Sequence, residues 1–136
     1  MTFSKNILLI VICVLTNVTS LFCQSGLYSI KVNYTPNERF LAKSDANLGT
    51  TTVISPTTIF DWYETEGGVT IDQTNNIYYV KVSNNTHTSY WLYGIDLNSG
   101  TVISNPVIAN TDDIHQMAFN PSDGFIYAIK VVLTPN

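Results

Sequence analysis

The sequence predicts an all-β fold assembled from four-stranded antiparallel units, β-propeller-like in pattern, and three observations carry that prediction. A six-residue strand motif occurs three times, starting at Leu27, Ile77 and Ile126, so that its copies stand 50 and 49 residues apart. Clusters of Asn, Asp, Gly and Pro separate short runs rich in β-branched and aromatic residues, which is strand-and-turn chemistry. Beyond the N-terminal apolar segment, no stretch combines a 3.6-residue apolar period with helix caps.

The motif copies read Leu27-Tyr28-Ser29-Ile30-Lys31-Val32, Ile77-Tyr78-Tyr79-Val80-Lys81-Val82 and Ile126-Tyr127-Ala128-Ile129-Lys130-Val131. Strand side chains alternate between faces. Tyr28, Ile30 and Val32 therefore share one face and Lys31 takes the other, and the later copies repeat the arrangement. The matched lysine implies one register for all three.

Flanking pieces recur as well. Gly68–Asp72 and the turn 73–76 precede the second copy, as Gln116–Asn120 and the turn 121–124 precede the third; both read as hairpins. A polar connection follows each of the first two copies, then a third strand, Phe40–Lys43 with Asp45 or Trp91–Ile95 with Asp96. The turns that close them, Asp45 to Gly49 and Asp96 to Gly100, have equal spacing. Fourth strands at Thr52–Ser55 and Val102–Ser104 run into Pro56 and Pro106. The expected units are blade strands over 27–56, a whole blade over 68–108 and a partial blade over 115–132.

The N-terminus reads differently. Lys5 precedes an apolar run from Ile7 to Leu15, and a mixed stretch with Val18, Ser20 and Cys23 follows. A short positive region, an apolar segment and a small-residue exit describe a signal peptide, here residues 1–23. Cleavage could follow Ser20, Cys23 or Ser25. The apolar run is far below the ~20 residues a membrane-spanning helix needs. Phe22 before Cys23 does not suit lipid attachment, which wants a small residue there. Both cysteines, Cys13 and Cys23, fall within this leader, so a domain over 24–136 has no disulfide or thiolate chemistry.

Without the leader, five cations (Lys31, Arg39, Lys43, Lys81, Lys130) face ten carboxylates. That balance excludes a nucleic-acid backbone partner and an anionic lipid surface. No P-loop, dinucleotide fingerprint or nucleophile elbow occurs, and no cofactor is expected. His87 and His115 lack a third ligand at metal spacing, so no metal site is expected on them.

Asp-Leu-Asn-Ser-Gly-Thr at 96–101 and Met-Ala-Phe-Asn-Pro-Ser-Asp-Gly-Phe-Ile-Tyr-Ala-Ile at 117–129 resemble blades of secreted bacterial β-propellers of the YVTN, NHL and quinoprotein-like group. The resemblance covers nearly all of 27–132 and specifies a blade, not an activity. The tryptophan-docking signature of quinoprotein blades and the Trp-Asp end of WD40 blades are both missing. Propellers close with roughly four to eight blades. A chain of this length then points to a truncated member, with remaining blades of the same or another chain needed for closure; the alternatives are a short chain that assembles into a closed ring and one that stands as an open sheet array.

The resemblance also implies that connections between blades gather on one face around a channel. Asp61, Glu64 and Glu66 are expected in one such connection, and Asp112 and Asp113 in the next. These carboxylates could hold a hard cation such as Ca²⁺ or serve glycan chemistry, or form a solvated acidic loop. Tyr34, Trp62, Tyr63, Tyr90 and Trp91 fall beside the same connections, where aromatic planes bind sugars or peptides or else pack between blades. Asn33-Tyr34-Thr35 and Asn84-Asn85-Thr86 match N-glycosylation acceptors. The expected function is a secreted binding or scaffold module for a protein or glycan partner, with candidate ligand residues Asp61, Trp62, Glu64, Glu66, Trp91, Asp112 and Asp113. The alternatives are a fragment of a lactonase-like or glycan-cleaving propeller enzyme and a structural surface or adhesin repeat.

Overall fold

The structure, a computed structural model, describes residues 26–60, 63–109 and 113–131. The predicted leader lies outside the described residues. Among those described there is no helix, and none of them forms a helix long and apolar enough to cross a membrane. The protein is all-β with antiparallel sheets, as the strand-and-turn pattern predicts.

The first sheet holds β1 (Gly26–Tyr34), β2 (Asn37–Asp45) and β3 (Thr51–Val53), in that order. The second holds β4 (Tyr63–Asp72), β5 (Ile77–Asn84), β6 (Tyr90–Asp96) and β7 (Val102–Ser104) as a meander, with β8 (Val107–Ile108) also pairing β6. A hairpin of β9 (Asp113–Asn120) and β10 (Phe125–Val131) completes the described chain. Most strands follow from runs of β-branched and aromatic residues, and the turns opened by Asp45, Asp72, Asp96 and Asn120 are Asx turns, whereas β1 and β2 are joined through Thr35 and Pro36. Asp45 Oδ1 accepts from the N–H groups of Asn47 and Leu48 at 2.8 and 3.1 Å. Asp96 Oδ1 accepts from Asn98 and Ser99 at 3.0 and 2.7 Å. In both turns the glycine four residues on donates back to the aspartate carbonyl. Gly100 must be glycine on two grounds: its φ is +69°, and an added Cβ would stand 2.5 Å from Ser55 N.

Where proline falls, the fourth strand breaks. β7 leaves β6 at Ser104 and β8 rejoins it after Pro106, whose carbonyl accepts from Leu92 N–H at 3.0 Å. In the first sheet, β3 ends before Pro56. Ile54 N–H and Ile59 N–H then donate to the Leu41 and Arg39 carbonyls on β2. A residue without an N–H interrupts the ladder, which suits an outer strand.

The core lies between the first and second sheets. Leu41, Phe60, Tyr78, Val80, Val82, Tyr93, Ile95 and Leu97 form one buried cluster. The rings of Phe60 and Tyr93 lie 5.2 Å apart in a tilted pair. Burial pushes the Tyr78 phenol up to about 12, because the phenolate is poorly tolerated there.

One expectation fails in an informative way: the three motif copies do not share a register. Asp45 and Asp96 occupy the same turn position, yet Asp45 pairs with Gly26 while Asp96 pairs with Ile77. The motif starts one residue after the first of those partners and on the second. Asp72 and Asn120 open equivalent four-residue turns, and they pair with Ile77 and Phe125. The third motif starts one residue past Phe125. A one-residue slip moves a whole row of side chains to the opposite face. Tyr28 and Ile30 of the first copy consequently pack against the cluster that holds Tyr78, Val80 and Val82 of the second. Tyr127 and Ile129 of the third copy are left outward, 56 % and 58 % exposed.

Candidate functional site

The strands that position the candidate residues are β4 and β9. Phe119 N–H donates to Thr70 Oγ1 at 2.9 Å across 49 residues of sequence. Met117 reaches Gly68 at the same offset, where an added Cβ would meet its Cγ at 3.3 Å. Two contacts at one offset mean that β4 and β9 run side by side in the same direction.

Both strands start earlier than the sequence pattern indicates. Glu64 and Glu66, expected in a connection, lie within β4, and Asp113 opens β9. The physical reason is that β5 continues past its motif to Asn84, and that Lys130 and Val131 at the end of the third motif copy offer partners to Ile114 and Asp113. β4 pairs with β5 from Tyr63 opposite Asn84, and a register irregularity between Thr65 and Val69 takes up Glu66, Gly67 and Gly68. Glycines suit such a bulge because they carry no Cβ. A shift opposite Ile129 and Lys130 takes up His115 in β9. Bulges of this kind bend a strand and re-aim its residues.

Asp61, Trp62 and Asp112 lie outside the described residues. Trp91 is described and lies in β6, across β5 from Thr65. It pairs with Val82 and is partly buried against the core cluster. The structure therefore brings Glu64, Glu66 and Asp113 to one end of two adjacent strands and places Trp91 in packing between sheets.

A polar cluster that the sequence reading passed over lies near that end, on the opposite face of β5 from Val80 and Val82. Lys81 is 1 % exposed, and its ammonium stands 4.6 Å from the centre of the Tyr90 ring. Ser83, directly opposite Glu64 in the ladder, is fully buried, with Oγ 3.2 Å from His87 Nδ1. A serine hydroxyl beside an imidazole is nucleophile chemistry where a substrate carbonyl can reach it. Ser83 has no surface for that approach.

The other contacts are those of a turn. Tyr90 Oη donates to the His87 carbonyl at 2.9 Å, and Asn84 Oδ1 accepts from Thr88 and Ser89 N–H groups. His87 itself has φ of +53°. The signal in the sequence was the Lys-Val-Ser alternation of 81–83, which puts two polar side chains on a face of a central strand.

Several carboxylates have structural work instead. Burial raises the Asp72 pKa, but hydrogen bonds from the Asn75 side chain and from the Asn75 and Thr74 N–H groups outweigh it and hold the group below its usual range. Asp96 is held down chiefly by the Ser99 N–H and hydroxyl, and Asp123 chiefly by the Phe125 N–H. Among the described residues, no three His, Cys, Asp or Glu side chains stand together as a metal site. Comparison with protein-family models, with curated proteins and with solved structures gives no match.

Proposed function

We propose that the protein is a secreted binding module of β-propeller type, which holds a protein or glycan partner at the end of its inner strands. The observation that carries the reading is the parallel pair β4 and β9, one repeat apart, each the first strand of its hairpin. Neighbouring blades around a ring bring their first strands together in this way. The four-stranded order β4-β5-β6-β7 and the three-stranded order β1-β2-β3 fit one whole blade and the last three strands of another. Further blades, of the same or another chain, would complete the ring.

On this reading the acidic residues Asp61, Glu64, Glu66, Asp112 and Asp113 collect around the mouth of the channel. Loops that differ between units beside strands that match favour a binding surface over a uniform structural repeat. The test is a glycan array and a displayed peptide library probed with the purified chain and with the combined variant D61N/E64Q/D112N/D113N. The reading expects ligands bound by the parent to be lost by the variant, with an unchanged β-type circular dichroism spectrum. Equal binding by both proteins overturns the assignment of this end.

A further inference from the structure

The turns that close β2 and β6 are built alike, and their surroundings differ. Asp45 and Asp96 each accept from two N–H groups of the turn, and each donates its own N–H at 2.9 Å to the carbonyl of the threonine that ends it, Thr50 or Thr101. Beside Asp96 stand Gly94 two residues back, Ile77 opposite, and Ile103 two residues past Thr101. The matching places beside Asp45 hold Lys43, Gly26 and Thr52. The second sheet thus shows that the turn itself needs neither the lysine nor the second threonine.

Side chains alternate along a strand, and cross-strand partners share a face. Lys43 and Asp45 therefore look the same way, with Thr52 opposite Lys43 and Thr50 beside Asp45. A cavity of about 210 Å³ is lined by these four residues. It lies on the face of the first sheet that carries Tyr28 and Leu41 and packs toward the second sheet. A blade placed before the first sheet would cover the opposite face.

We infer that this cavity binds one neutral sugar residue through adjacent ring hydroxyls. Its polar groups are open to a ligand. Asp45 Oδ1 serves the turn, but among the described residues nothing bonds its Oδ2, the Lys43 ammonium or the two threonine hydroxyls. Lys43 and Asp45 do not pair with each other, and the ammonium stands 5.7 Å from the centre of the Tyr28 ring instead. One charge of each sign gives no net attraction for a bare anion or a bare cation. The carboxylate only accepts, the ammonium only donates, and a threonine hydroxyl does either. Sugar hydroxyls also do both, so two neighbouring ones can donate to Asp45 and accept from Lys43 while the threonines bond the rest. Size agrees, since about 210 Å³ falls below the ~300 Å³ at which pockets for drug-sized ligands begin and suits a single ring. With four side chains around an open cavity, affinity in the millimolar range is expected. The inference concerns the first sheet alone and does not rest on the acidic strand starts proposed above.

Titration of the isotope-labelled full chain with the methyl pyranosides of glucose, galactose, mannose and N-acetylglucosamine, from about 1 to 100 mM, tests it through amide chemical shifts. At least one of them should move the amides of Lys43, Asp45, Thr50 and Thr52 in a saturable way. Thr52→Val, which puts an apolar β-branched residue where the second sheet has Ile103, should weaken that binding about fivefold, and so should Lys43→Met. Thr101→Val, at the matched place in the second sheet, should leave it unchanged, and all three variants should keep the parent spectrum away from the substitution. No response to any of the four sugars overturns the inference. So do shifts confined to the starts of β4 and β9, and shifts that both Thr52→Val and Lys43→Met spare. A response to glycine, the competing neutral ligand with a charge of each sign, that no pyranoside gives overturns it as well.

Discussion

The second sheet and the β9–β10 hairpin contain nearly the same strand sequence and use it in opposite ways. In β5 the row Tyr78, Val80 and Val82 is the centre of the core; in β10 the row Tyr127 and Ile129 faces outward. Neither composition nor propensity distinguishes them. What differs is one residue of register between motif and turn: Ile77 pairs with the turn aspartate, whereas Ile126 stands one place beyond the partner of Asn120. A strand motif therefore fixes which side chains share a face, and the turn fixes where that face looks. The first copy shows the same slip as the third, and there it is what lets two apolar rows meet.

The sharpest way to break this comparison is to truncate one isoleucine of the buried cluster and one of the outward row. Ile95→Ala, in the fully buried cluster, should cost about 2–5 kcal/mol in urea unfolding. Ile129→Ala, in dilute solution, should stay within about 0.5 kcal/mol. Equal losses would mean that the outward row is covered within the monomer. Glycines give a second contrast. Gly100 and Gly124 both have positive φ, but an added Cβ meets Ser55 at one and open space at the other. Gly100→Ala is expected to cost about 2–4 kcal/mol and Gly124→Ala about 1 kcal/mol, read from the same unfolding midpoints.

These contrasts also show what the sequence could and could not convey. Strand identity was legible because Tyr-x-Val-Lys-Val alternates and because Asn, Asp, Gly and Pro mark each turn. The turn aspartates were legible from the equal Asp-to-Gly spacing. Register was not, since a slip of one leaves every residue in a good strand. The extra turns of strand at Tyr63–Thr65 and Asp113–Ile114 were hidden by bulges, which absorb Gly67, Gly68 and His115 without disturbing the pairing on either side. The burial of Lys81 was hidden too, because a lysine in an alternating strand reads as a solvent-facing residue. Of the candidate site, the grouping of Glu64, Glu66 and Asp113 follows from the repeat period, whereas the inward packing of Trp91 depends on its pairing with Val82.

Smaller effects appear in the pH dependence. Tyr78 is held above its ordinary value, to about 12, so its contribution is fully present below the unfolded phenol's pKa of about 10 and is lost as pH rises through the folded value. Alkaline unfolding followed by fluorescence should therefore steepen between about pH 10 and 12, and Tyr78→Phe should remove that part of the slope. The aspartates act at the other limit. Asp72, Asp96 and Asp123 are held below their ordinary range, so their contribution is present above about pH 4 and fades as pH falls through the depressed values. Asp96→Asn should flatten the acid limb slightly, as seen by thermal melts between about pH 2 and 5.

The claim on which the rest depends is the register of the third motif copy. Cross-strand proton contacts in the nuclear Overhauser spectrum of the isotope-labelled chain read it directly. The structure predicts Tyr127 opposite Ala118 and Ile126 opposite Phe119, with Tyr78 opposite Ile71 in the second copy. Tyr127 opposite Phe119 would align the third copy with the second, return its apolar row to the inner face, and contradict the account.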